Sequence, residues 1–132
     1  MNIPLFCVAA LGFLTIALGF NVSMARASTR IIIGQPNDPS SRLFKAIRAH
    51  GNTTEYAPAL MVVIYALSQR AVAGWVVWSM IGVTCSRYLI ASGLLLSKTL
   101  EKPNPLRALG ALGTYIFGLA LCFALGIYAF AA

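Results

Sequence analysis

Arg48-Ala49-His50-Gly51-Asn52-Thr53-Thr54-Glu55-Tyr56-Ala57-Pro58 runs straight into the apolar Ala59-Leu60-Met61-Val62-Val63-Ile64-Tyr65-Ala66-Leu67. On a helix each residue turns about 100°, so Arg48, Asn52 and Glu55, at i, i+4 and i+7, share one face. That face carries a cation, an amide and a carboxylate within about two turns. At the mouth of a membrane segment such a stripe requires a polar partner, either a neighbouring helix or a small zwitterionic ligand. Pro58 lacks an amide hydrogen and crowds the carbonyl of Thr54, so a kink beside Glu55 is expected.

The composition around this stretch is that of a membrane protein. Of 132 residues, 59% are hydrophobic and 10% charged, against about 25% charge in a soluble domain. The three cysteines, Cys7, Cys85 and Cys122, are scattered through apolar runs with no CxxC or Cys/His spacing. They suggest neither a disulfide framework nor a zinc site, but small buried hydrophobes. The net charge of +7 does not argue for nucleic acid, because the basic residues flank apolar spans and read as topology signals and anionic-lipid contacts.

The expected fold is an all-α membrane protein, a single domain over residues 1–132 with four transmembrane helices in an up-down bundle. Helix one, about 3–25, is uncharged and long enough to cross the hydrocarbon core. A cleaved signal peptide ending near Met24-Ala25-Arg26-Ala27-Ser28 competes, but no Lys or Arg precedes the apolar run. Gly34-Gln35-Pro36-Asn37-Asp38-Pro39-Ser40 is turn chemistry, and Ser40 or Ser41 caps helix two, 42–68. Helix two is polar in its first half, and its apolar part is too short to span alone. Helix three, 71–96, starts with Trp75 and Trp78 at the aromatic belt and holds Arg87 within its apolar run. A lone charge at that depth costs about 2.5–3.5 kcal/mol, so Arg87 wants a partner, and Glu55 is the acid expected at comparable depth. Helix four, 106–130, places Gly110, Thr114, Gly118, Cys122 and Gly126 at four-residue spacing, a packing ridge. Eight of the ten cations (Arg26, Arg30, Arg42, Lys45, Arg48, Lys98, Lys102 and Arg107) fall at the first and third loops. Those loops are expected in the cytoplasm and both termini outside.

No Walker, GxGxxG or HExxH pattern occurs, and the one histidine, His50, points away from the polar stripe. The bundle instead gathers Arg26, Arg48, Asn52, Glu55, Arg87 and Arg107 near one end. Several cations with one carboxylate make either a pocket for an anionic or zwitterionic molecule or an ion-pair network, Glu55 with Arg48 or Arg87.

The run Arg48-Ala49-His50-x-Asn52-x-x-Glu55-Tyr56-x-Pro58 resembles the signature of the membrane-associated proteins in eicosanoid and glutathione metabolism, the MAPEG family, in its bacterial type. Val22-Ser23-Met24-Ala25-Arg26 and Pro105-Leu106-Arg107 are similar to flanking family segments. The resemblance implies a homotrimer in a bacterial inner membrane that binds glutathione between protomers near the cytoplasmic face and acts on lipophilic small molecules. It implies that Arg26, Arg48, Asn52 and Glu55 hold glutathione, with Tyr56, Arg87 and Tyr88 completing the binding set. Arg107 is the expected catalytic residue, lowering the thiol pKa because its charge favours the thiolate. Helix three departs from the pattern. Ile90 stands where members often have His, and Ser92 or Gly93 where they have an aromatic hydroxyl; on helix four the nearest hydroxyls are Thr114 and Tyr115. The expected function is a glutathione-dependent transferase or peroxidase acting on lipophilic electrophiles. A non-catalytic lipid- or glutathione-binding scaffold is the alternative, and a small multidrug antiporter using Glu55 a remote one.

Overall fold

The structure, a computed structural model, describes residues 2–130. It contains four helices: α1 (Ile3–Thr29), α2 (Arg42–Ser68), α3 (Gly74–Leu96) and α4 (Pro105–Phe130). Three of them, α1, α3 and α4, are long and apolar enough to cross a membrane. The charges in the first half of α2 keep it out of that class.

Each end has a local cause. At the start of α1, Asn2 accepts from Leu5 N at 3.2 Å. Helix α1 runs one turn past the expected Ala25, because the Ser28 and Thr29 hydroxyls fold back onto the Ala25 carbonyl and the left-handed Arg30 ends it only there. Ser41, not Ser40, caps α2 through Phe44 N. Ser40 instead donates from its hydroxyl and its amide to Asp38, which holds that carboxyl below the usual range. Helix α3 begins at Gly74, three residues later than expected, with extended backbone at Ala73. The connection therefore runs over residues 69–73, within the roughly 2–8 residues usual between antiparallel helices. Asn104 opens α4 by accepting from Leu106 N and Arg107 N, with Pro105 at the first helical position.

The helices pack as two close hairpins, α1 with α2 and α3 with α4, joined through α2 and α3. Among the described residues no Cα of α1 comes within 8 Å of one of α4, so α2 and α3 form the short diagonal of the bundle. The largest core cluster includes Leu11, Leu60, Ile64, Met80, Val83 and Leu121. Leu14, Leu18, Ala49, Ile90 and Leu94 form a second cluster, and Ala25, Leu43 and Ala46 a third. Phe13, Ile16, Phe20, Trp78, Leu119 and Phe123 stand exposed on the outside, as expected where lipid is the solvent.

Loops one and three lie at the same end and are laced together. Leu100 N donates to the Pro39 carbonyl at 3.2 Å, and Lys45 Nζ to the Ser97 carbonyl at 3.0 Å. At the other end Arg70 donates to the Tyr128 carbonyl and stacks on its ring. The alternation is therefore up-down-up-down, with the eight cations of the two loops at one end.

Candidate functional site

Residues 48, 52 and 56 lie one turn apart on α2, and the structure aims this ridge at α3 and α4. Arg87 of α3 meets it in full burial, with 0% exposure. Its Nη2 donates to the Asn52 carbonyl at 2.8 Å and to Asn52 Oδ1 at 2.6 Å. The guanidinium lies 5.0 Å from the centre of the Tyr56 ring, a cation–π contact. Among the described residues Arg87 Nε has no hydrogen-bond partner, nor has the buried hydroxyl of Thr53, next to Asn52 on α2. Glu55, the acid expected to pair with Arg87, is exposed on the outer face of α2. The partner of the buried cation is therefore an amide, and the charge is balanced by dipoles and a π-face.

Arg107 enters from α4. Gly93 on α3 makes room for it: a Cβ there would lie 2.9 Å from Arg107 N and 2.8 Å from its Cγ. Any larger side chain at 93 would have to push the start of α4 away. Arg107 Nη1 donates to the carbonyls of Leu100 at 3.1 Å and Lys102 at 3.4 Å.

Between these groups lies an open trough of about 380 Å³ lined by Arg48, Asn52, Ile90, Leu94, Asn104 and Arg107, among others. A deeper recess of about 40 Å³ continues it past Asn52, Ile90 and Ala111 to Tyr56, Arg87, Thr114 and Tyr115. In the recess wall the Tyr56 and Tyr115 hydroxyls are 3.1 Å apart. On the water side, Arg48 and Arg107 also wall a second hollow of about 260 Å³ that reaches Phe44, Leu100 and Glu101. A separate groove between α1 and α2, of about 400 Å³, is apolar, with Gly12, Ile16, Pro58 and Met61 in its lining. The trough volume suits a small-molecule site, and its two guanidiniums and two amides suit a ligand rich in carboxylates.

Arg48, Asn52, Tyr56, Arg87 and Arg107 are thus brought together, and three other expected residues are not. Tyr88 faces α1 and donates to the Ala10 carbonyl at 2.9 Å. Arg26 gives its guanidinium to the carbonyls of Ile31, Ile32 and Gly34. Glu55 stays outside the trough. His50 packs against α1, its Nε2 3.3 Å from where a Cβ on Gly19 would sit. Asn104 and Gly93 were missed as site residues in the sequence. The cap signal of an Asn-Pro pair before a helix marks Asn104; nothing local marks Gly93.

These features define a class, a helical membrane bundle with a cation-rich trough opening at its basic end. Residues 4–127 match the model of the MAPEG family. The chain belongs to that family, whose members are membrane proteins of glutathione-related transferase and peroxidase type. Neither curated proteins nor solved structures yielded a match.

Proposed function

We propose that this protein is a glutathione-dependent transferase or peroxidase acting on lipophilic electrophiles, working as a homotrimer with its basic end in the cytoplasm of a bacterial inner membrane. The observation that carries the reading is the convergence of Arg48, Asn52, Asn104 and Arg107 on one trough of about 380 Å³. Glutathione carries two carboxylates, an ammonium and a thiol. Arg48 would hold a carboxylate, and the amides of Asn52 and Asn104 would take its peptide groups. Arg107 would sit near the sulfur and favour the thiolate. The thiolate then bonds to the electrophilic carbon of a bilayer-borne substrate and displaces its leaving group as an anion; on a peroxide it takes one oxygen as the O–O bond breaks and the alcohol leaves, and a second glutathione converts the sulfenic acid to the disulfide and water. The ammonium calls for a carboxylate, which no residue lining the trough carries. Glu55, exposed on α2, is suited to supply it at a boundary between copies, as Arg26 is suited to add a carboxylate contact there.

A second reading, binding without chemistry, is favoured by one contact. Arg107 already donates to two loop carbonyls, which compete with a thiolate for the same guanidinium.

Isothermal titration of the detergent-purified protein with glutathione, alongside turnover of a chromogenic aryl halide, tests both. Saturable binding is expected for the wild type. Arg48→Ala is expected to weaken it at least tenfold, since a charge-assisted hydrogen bond contributes about 1.5–3 kcal/mol. Arg107→Ala is expected to keep binding but lose turnover and the ultraviolet thiolate band. Binding without product from any electrophile supports the scaffold; no saturable heat overturns both readings.

A further inference from the structure

Ile32 and Ile33 are 84% and 88% exposed. Among the described residues they are the only large hydrophobic side chains outside helices that stand exposed. Their placement is built. Arg30, at φ 57°, turns the chain sharply out of α1. Arg26 Nη1 then gathers the carbonyls of Ile31 at 3.3 Å, Ile32 at 3.1 Å and Gly34 at 3.0 Å. Gly34, at φ 80°, makes the return bend that other residues take only with strain. Ile31 tucks against the cluster of Ala25, Leu43 and Ala46. With its carbonyls facing inward on one guanidinium, the loop holds its next two isoleucines outward.

This hook stands at the basic end of the bundle. Eight cations lie there against two acids in the connectors, Asp38 and Glu101. We propose that the Ile32–Ile33 turn is an interfacial anchor that inserts into the head-group region of the adjoining leaflet, and that its partner is anionic phospholipid. Exposed apolar side chains beside a basic cluster are the two signals that together fix a segment to an anionic surface. A second copy of the chain is the poorer occupant of this turn, because it could cover the two isoleucines but would bring no anions to the cations beside them, whereas anionic head groups meet both. Arg26 is the positioning residue of the anchor. The inference does not depend on the glutathione reading.

The test uses the full chain with Ile33→Trp as reporter in a Trp75→Phe, Trp78→Phe background; both native tryptophans are exposed. The protein is reconstituted in phosphatidylcholine vesicles with and without phosphatidylglycerol. With phosphatidylglycerol, the reporter is expected to be quenched by lipids brominated near the head group and shielded from aqueous iodide. Adding Arg26→Gln is expected to restore iodide access while far-ultraviolet circular dichroism stays helical. Free iodide access in both vesicles overturns the proposal. So does shielding from iodide without bromine quenching, the signature of contact with another copy. Equal bromine quenching in both vesicles overturns the anionic-lipid assignment, and an unaltered response in Arg26→Gln overturns the role of Arg26.

Discussion

Arg87 is the residue on which the inner half of the site turns. Its guanidinium is fully buried and held by one residue, Asn52, through a backbone and a side-chain oxygen. Removing that side-chain acceptor leaves a buried charge with a single carbonyl. Asn52→Ala is therefore expected to lower stability by about 1.5–3 kcal/mol, the range for hydrogen bonds to charged groups. Asn52→Asp puts a carboxylate at the same place and is expected to melt no lower than the wild type, yet to bind anionic ligands more weakly. Thermal unfolding in detergent decides it; an unchanged midpoint for Asn52→Ala would mean that the amide does not hold Arg87. That Arg87 needs a partner is legible in the sequence, because charge at membrane depth is costly. Which partner it has is not. Asn52 and Glu55 differ by about 60° in azimuth on α2, and only the packing of α3 selects between them.

Among the elements, the contact between α3 and α4 is the tightest. A Cβ on Gly110 would lie 2.7 Å from the Ser86 carbonyl oxygen and 2.8 Å from Ile90 N, backbone atoms that cannot swing aside. Gly110→Ala is expected to cost about 1–3 kcal/mol, as overpacking does. Gly126→Ala, with nothing within 4 Å of the new methyl, is expected to be neutral or to stabilise by up to about 1 kcal/mol through helix propensity. Equal melting of the two variants would contradict the close approach. The small-residue ridge expected along α4 holds for Gly110, Thr114 and Gly118, which are buried, and fails at Cys122, which is exposed. Four-residue steps drift about 40° each on a 3.6-residue helix. Beyond Gly118 the buried line passes to Leu121 and Ala124.

For the whole molecule, the outer surface poses the question of assembly. Glu55 is exposed on α2 where the polar half that also exposes Arg48 and Thr54 gives way to the lipid-compatible Ala59, Val62 and Tyr65. An ionised carboxylate facing hydrocarbon is costly, and in the proposed trimer a neighbouring copy would relieve that cost. Light scattering in mild detergent is expected to report three protein chains per particle, with Glu55→Leu altering that number or its stability. A single chain per particle at all concentrations would remove the shared site and leave only the trough within one protomer.

Membrane class, four helices, their alternation and the basic end were all readable in the sequence, because they follow from local quantities: apolar run length, turn residues and the placement of cations. The family was readable too, as a resemblance carried by the run Arg48-Ala49-His50-x-Asn52-x-x-Glu55-Tyr56-x-Pro58. Only the tertiary structure assigned the partners. It bound Arg26 to its own loop, turned Tyr88 to α1, left Glu55 outside, and brought Asn104 and Tyr115 alongside Arg107 and Tyr56. Those assignments depend on the azimuth and depth at which one helix meets another, and these are set by close contacts such as Gly93 against Arg107, which no short stretch of the chain contains.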